Sequence, residues 1–313
     1  MAMNGQHKFG QLDMNSAKKC HNYFVAARPW SFTASLTPVA LGTTLAYKVH
    51  GVFSVPVLLL VCLTAIAVHA AGNLVNTYYD YKRGVDTKKS DDRTLVEGRL
   101  SDQNVATLGG LFYGLGCVGL FGLCLISPAK ENHLALIYFC GLSSSFLYTG
   151  GLGLKYIALG DIIIFLTFGP LTVLFSFLAQ SGSLSLVTIP YAIPLALNIE
   201  CVLHANNCRD RIADKQAGIV TLAIILGPMF SYLLFCVLLF GPFVAFGYCV
   251  IHVSPAFFLP FVTIFMAFPI ERSFRAGEMK LLPQRIAVLN LVLGLMFVVA
   301  ICAAPKSGLP FIS

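Results

Sequence analysis

Charge is scarce in this chain. Asp, Glu, Lys and Arg make up 11% of its 313 residues, whereas a soluble domain carries about 25%. Hydrophobic residues make up 57%, and the mean hydropathy is +0.78. A chain with so little polar surface could not cover a water-facing exterior, which excludes a soluble globular protein. A cleavable leader is also missing, because residues 1–30 include Lys8, Lys18, Lys19 and Arg28 but no apolar core stretch. They read as a short, partly disordered cytosolic tail. Ten cysteines are present without a CxxC pair or a regular spacing. That excludes a disulfide framework and leaves cysteine as a small apolar residue within the hydrophobic runs.

What the chain does have is long apolar runs. Nine segments, near 32–50, 55–80, 102–126, 132–150, 157–180, 187–208, 217–240, 243–269 and 284–304, approach the roughly 20 residues needed to cross a hydrocarbon core. The expected architecture is an all-α polytopic membrane domain over residues 31–305, with tails 1–30 and 306–313. With the N-terminus in the cytosol, eighteen of the 21 Lys and Arg fall on the cytosolic side, and only Lys48, Lys130 and Lys306 on the other. This positive-inside bias supports both the count and the orientation. It also accounts for the net charge of +7 without a nucleic-acid partner.

Two polar clusters interrupt this pattern. The second segment ends His69-x3-Asn73-x2-Asn76-x3-Asp80, followed by Asp86 and by Asp91, Asp92 and Arg93. The sixth ends Glu200-x3-His204-x-Asn206-Asn207-x2-Asp210-x3-Asp214. Spacings of three and four set such groups on one helical face. Asn76-x3-Asp80 recurs as Asn206-x3-Asp210, 130 residues later, which suggests duplication of a helix–loop unit. Carboxylate and amide oxygens are hard ligands suited to Mg²⁺, which bridges protein carboxylates to phosphate oxygens. Two such clusters at one membrane boundary could hold a Mg²⁺-bound diphosphate. Lys82, Arg83, Arg93, Lys155 and Arg209 are available to neutralise it. The alternative for Lys88, Lys89, Asp91 and Asp92 is a solvated loop face. For Glu200 and His204 it is a structural i,i+4 pair, and a soft-metal site at Cys201, His204 and Cys208 has no facing partner cluster.

At these residues the chain resembles the UbiA superfamily of intramembrane aromatic prenyltransferases. That family carries an N-D-x-x-D-x-x-x-D type motif after helix two and D-x-x-x-D after helix six. The likeness covers about residues 25–304. It is stronger to an animal branch of the family, through GNLVNTYYD (72–80), KKSDDRTLV (88–96), SFLYTGGLGLKYIALGD (145–161) and AGIVTLAI (217–224). The resemblance implies transfer of a geranylgeranyl group from geranylgeranyl diphosphate to a naphthoquinone acceptor, giving menaquinone-4, a vitamin K2. It also implies residence in the endoplasmic reticulum and Golgi, or alternatively a mitochondrial membrane, and association with HMG-CoA reductase. The chain departs from the family at Thr77, where an Asp is usual, and at Gly84, the later Asp standing at Asp86. Either Asn76 acts as a neutral ligand, or Asp86 folds back.

The expected mechanism places Mg²⁺ on Asn76, Asp80, Asp86, Asp210 and Asp214, with Asn206 or Asn207 assisting. Arg93, Lys155 and Arg209 meet the diphosphate, Lys155 being carried over the site by the glycine turn after Tyr148. Tyr148 either steadies an allylic cation with its ring face or is an interfacial belt tyrosine. The rivals are a transporter, whose charges gather near the midplane, a lipid-sensing membrane protein, and a prenyltransferase for a benzoate-type ubiquinone precursor or for haem.

Overall fold

A computed structural model describes residues 20–87, 92–306 and 309. Among them there are no strands, only one isolated bridge. Nine helices follow in order: α1 (Thr33–His50), α2 (Val55–Lys82), α3 (Asp102–Ile126), α4 (Glu131–Thr149), α5 (Gly160–Ser181), α6 (Thr188–Gln216), α7 (Leu222–His252), α8 (Pro255–Arg275) and α9 (Leu282–Ala303). Seven of them, all but α1 and α4, are long and apolar enough to cross a membrane. The protein is thus a helical integral membrane protein.

Close packing depends on small residues, which let helix backbones approach where lipid gives no hydrophobic push. On α1, a Cβ at Gly42 would lie 2.3 Å from the Val173 carbonyl oxygen on α5. On α3, a Cβ at Gly119 would lie 2.2 Å from Thr64 Oγ1 on α2. At Gly42 the obstacle is backbone, so a side chain there would push the helices apart; at Gly119 the Thr64 side chain would have to shift. Hydrogen bonds between helices add to this: Thr37 Oγ1 donates to Asn290 Oδ1 over 3.0 Å, joining α1 to α9.

Three expectations need correction. The seventh and eighth segments were expected at 217–240 and 243–269, with the break at Gly241-Pro242. Instead α7 runs through that pair to His252, and Ser254 Oγ accepts from the Ala256 N–H to start α8. The interruption in α7 falls at Gly227 (φ 68°, ψ 179°), before Pro228. Proline pushes the residue before it out of the helical region, and glycine tolerates the result. Ser231 Oγ donates to the Ala223 carbonyl over 3.2 Å, tying together the two sides of the kink. Second, α6 continues past residue 208 to Gln216, so its whole polar cluster is helical.

Third, residues 20–30 are not a disordered tail. Residues 20–26 are helical, Ala26 and Ala27 are buried, and a 3₁₀ turn, Pro29–Phe32, leads into α1. Residues 1–19, with Lys8, Lys18 and Lys19, and residues 88–91, with Lys88, Lys89 and Asp91, lie outside the described residues.

Candidate active site

Both polar clusters line one cavity of about 470 Å³ at the end of the bundle where α2 and α6 finish. Asn76, Asp80, Asp86, Asp92, Asn206, Asn207, Asp210 and Asp214 all face it, with Arg28, Arg93, Tyr148, Lys155 and Arg209. The residues expected to meet metal or diphosphate are therefore on its wall, except that two of the cations the sequence offered, Lys82 and Arg83, are not: Lys82 pairs with Asp102 over 2.6 Å and Arg83 lies over the Tyr156 ring.

Asp80 is buried and held by two donors. Lys155 Nζ donates to Oδ2 over 2.6 Å, and the Tyr156 hydroxyl donates to Oδ1 over 2.7 Å. The turn after α4 makes this possible. Gly151 (φ 51°) and Gly153 (φ 60°) take left-handed conformations open to glycine, and a short 3₁₀ turn, Leu154–Tyr156, presents both side chains to Asp80. The turn is strapped to the loop after α6: Val220 N–H donates to the Tyr156 carbonyl and Ala158 N–H to the Val220 carbonyl. The loops after α4 and α6 thus form one cap over the cavity.

The chain after α2 folds back on itself. Gly84, at φ 71°, takes the left-handed conformation that this reversal uses. The Val85 and Asp86 N–H groups return to the Asp80 carbonyl. Burial, with the charges of Asp80 and Asp92, lifts the Asp86 carboxyl to about 7.

Thr77 has a partner that the sequence did not reveal. Its hydroxyl donates to Asp92 Oδ2 over 2.5 Å, and the Thr94 N–H donates to Asp92 Oδ1 over 2.9 Å. Arg28 Nη2 donates to Asp92 Oδ2 over 2.7 Å, while its Nη1 reaches Asn76 Oδ1 over 3.3 Å. Burial alone would raise the Asp92 carboxyl, but the Arg28 charge and these hydrogen bonds hold it well below the usual carboxylate range. A carboxylate from the loop thus docks on the threonine that stands where the family carries Asp. Asp92 is therefore part of the site, not a solvated loop charge.

On α6, Arg209 grips its neighbours: Nε and Nη2 donate to the two Asp210 oxygens over 2.8 Å, and Nη2 donates to Asn206 Oδ1 over 2.7 Å. Arg93 pairs with Glu97 over 3.4 Å at an exposed position beside the cavity. Tyr148 lines the wall, next to Gly160 and Lys155. His204 turns away from the cavity: its Nε2 donates to the Ser231 carbonyl over 2.9 Å, and its Nδ1 lies 3.7 Å from Asp161. It does not form the expected pair with Glu200. Cys201 is packed in the apolar core, so the soft-metal grouping does not form.

The donor set facing the cavity is rich in carboxylate and amide oxygen, the chemistry of a hard cation. Among the described residues, no three His, Cys, Asp or Glu side chains converge to hold an ion unaided. Mg²⁺ would take one or two of the cavity's carboxylates, keep several waters and complete its shell with substrate phosphates.

A polyanion-and-cation cavity at one end of a helical membrane bundle, continuous with an apolar cleft between α2, α4 and α5, defines a membrane enzyme for an amphiphilic phosphorylated substrate. Residues 35–280 match the UbiA prenyltransferase family, and the chain belongs to it; it is a prenyltransferase. It is 56% identical over 294 residues to human UbiA prenyltransferase domain-containing protein 1, covering 94% of this chain and 87% of that one. It is 50% identical to the Drosophila melanogaster homolog, covering 93% and 83%. The fold matches a UbiA homolog from Aeropyrum pernix K1 in its apo form (TM-score 0.68, 16% identity, 85% of this chain and 97% of that one). It also matches a UbiA homolog from Archaeoglobus fulgidus bound to GPP and Mg²⁺ (TM-score 0.60, 18% identity, 88% and 99%).

Proposed function

We propose that this protein transfers a geranylgeranyl group from its diphosphate to a naphthoquinone-type aromatic acceptor, with Mg²⁺, making menaquinone-4. The observation that carries this is a cavity that holds two acidic clusters and several cations at one end and has an apolar cleft leading from it. The GPP and Mg²⁺ bound by the Archaeoglobus homolog support the donor class.

Asn76, Asp80 and Asp86 on one wall, with Asp92 on Thr77, and Asn206, Asn207, Asp210 and Asp214 on the other, would hold the metal. Mg²⁺ supplies charge neutralisation at the departing diphosphate. The protein's cations do the rest. Lys155 and Arg209, now engaged by Asp80 and Asp210, are placed to exchange those carboxylates for phosphate oxygens, and Arg28 and Arg93 complete the positive wall. As the C–O bond ionises, the ring of Tyr148 steadies the allylic cation by its face. That ionisation sends the C–O bonding pair out with diphosphate; the acceptor ring then attacks the cation, forming the new C–C bond, and releases the proton from the attacked carbon. The bundle would present this site to the cytosol as nine spans with the N-terminus on the same side. Residence in the endoplasmic reticulum and Golgi, and association with HMG-CoA reductase, rest on the family resemblance alone.

The test is mass spectrometry of products from purified protein, Mg²⁺, geranylgeranyl diphosphate and a panel of naphthoquinone and benzoate acceptors. A prenylated naphthoquinone with metal-dependent diphosphate release is the expected result. Prenylation of the benzoate alone would overturn the acceptor.

A further inference from the structure

Two turns before Asn76 on α2, about 10 Å further into the bundle, the cavity wall holds a polar group apart from both acidic clusters. It is His69, which lines the cavity with Ser31, in the turn before α1, and Ser35, on α1. Its ring sits edge-on to Phe32 and Phe168, with centroids 5.4 and 4.7 Å away. Its Nδ1 meets Ser35 Oγ over 2.8 Å, and its Nε2 meets Ser31 Oγ over 3.2 Å.

The hydrogen bonds of Ser31 fix which nitrogen carries the proton. Ser31 Oγ donates its one hydrogen to the Arg28 carbonyl over 2.8 Å and accepts from Asn73 Nδ2 over 3.1 Å. Toward His69 it can only accept. Nε2 is therefore protonated, and Nδ1 accepts from Ser35 Oγ. Thr37 and Thr44 turn their hydroxyls back to the carbonyl four residues earlier on α1, the common habit of a helical hydroxyl. Ser35 gives its hydrogen to the imidazole instead, and its oxygen, on the cavity wall, remains able to accept.

From this geometry we infer that Ser35 and His69 form a proton-accepting pair that serves a ring hydroxyl of the aromatic acceptor. The inference rests on the prenyl-transfer reading above and adds how the acceptor ring is activated, so the acceptor reacts in its dihydroxy form. As a ring carbon bonds to the allylic carbon, positive charge spreads to the ring hydroxyl and makes it a strong acid. Ser35 Oγ takes that proton while its own passes to His69 Nδ1, and the O–H bonding pair becomes part of a C=O double bond. The attacked carbon then releases its proton to diphosphate or water. The ring regains aromaticity as His69 returns a proton through Ser35 to the ring oxygen. The pair ends as it began, and no oxidant or reductant is consumed. Arg28 is the charged group whose field reaches the imidazole. The other groups that touch the ring, Ser31, Phe32, Ser35 and Phe168, do not titrate.

Ser35→Ala breaks the pair at the hydroxyl and His69→Gln at the ring. Each is purified and compared with wild type at saturating Mg²⁺ and geranylgeranyl diphosphate. The acceptor is 1,4-dihydroxynaphthalene, kept reduced under argon, and its kcat/KM is read across neutral and mildly alkaline pH. Near pH 7 (roughly the ordinary working range) both variants are expected to fall about a hundredfold, the low end of what a positioned acid–base group supplies. Toward the acceptor's own phenolic pKa of about 10 the ring arrives already ionised, so the gap to wild type is expected to close to within about tenfold by about pH 9. A merely structural role lowers the rate by the same factor at every pH. A ratio to wild type that is constant with pH, or within about twofold of wild type near neutrality, overturns the pair and leaves the transfer reading standing. A wild-type protein that consumes no prenyl diphosphate with any aromatic acceptor overturns the transfer reading and the pair with it. Should His69→Gln fail to fold, Ser35→Ala, which removes one hydroxyl, decides alone.

Discussion

Asp80 is the residue on which the site turns, because two donors converge on one buried carboxylate. Tyr156 holds Oδ1 and Lys155 holds Oδ2. On the proposed mechanism the two contacts have different uses: the lysine would pass its charge to phosphate, whereas the tyrosine would fix the carboxylate's direction. Tyr156→Phe removes one hydrogen bond to a charged group, worth about 1.5–3 kcal/mol. It is expected to lower kcat/KM by about tenfold to a hundredfold, the factor that this energy corresponds to. Steady-state kinetics at saturating Mg²⁺ checks this, and an unchanged kcat/KM would show that the hydroxyl does not orient Asp80.

Much of this was legible in the sequence, since the i,i+4 spacing alone groups Asn76 with Asp80 and Asn206 with Asp210. Arg28, Tyr156 and the docking of Asp92 on Thr77 were not legible. Each depends on a loop or a terminal segment closing over the helix ends, and no local spacing encodes that. A Thr in place of an Asp was the available signal, because a buried hydroxyl needs a partner.

Among the elements, α7 shows how similar local signals part company. Gly227-Pro228 and Gly241-Pro242 are the same dipeptide in one apolar run. The first breaks the helical geometry and the second does not. The first is spanned by a side-chain hydroxyl, Ser231 Oγ donating to the Ala223 carbonyl. Gly227 is held at φ 68°, ψ 179°, a conformation nearly restricted to glycine. Gly227→Ala is expected to destabilise the protein by about 1–3 kcal/mol. Gly247→Ala, whose new Cβ would meet only Phe261 Cζ at an ordinary 3.7 Å, is expected to leave stability unchanged or slightly raised. Thermal unfolding in detergent separates the two; equal midpoints would put the kink elsewhere.

For the molecule as a whole, the question is which side of the membrane receives the charged end. The Lys and Arg bias predicts that this end faces the cytosol. Cys20, just before the residues that carry Arg28, and Cys302, at the far end of α9, are both exposed. In sealed microsomes an impermeant maleimide is expected to label a variant retaining only Cys20, and to label one retaining only Cys302 after permeabilisation alone. Labelling of both before permeabilisation would contradict an odd number of spans. The nine apolar runs were readable because each nears the bilayer's thickness; the joining of the α4 and α6 loops into one cap was not, since its bridge links Ile157 to Val220.

The central claim is that two clusters 130 residues apart in the chain form one diphosphate site. Its most direct test is calorimetric binding of geranylgeranyl diphosphate with Mg²⁺ to wild type, Asp80→Ala, Asp210→Ala and the double variant, all confirmed as inserted and folded. One shared site predicts that each single substitution removes donor binding and transfer, and that the double variant is no worse than either. Near-normal binding and turnover in either single variant would contradict it.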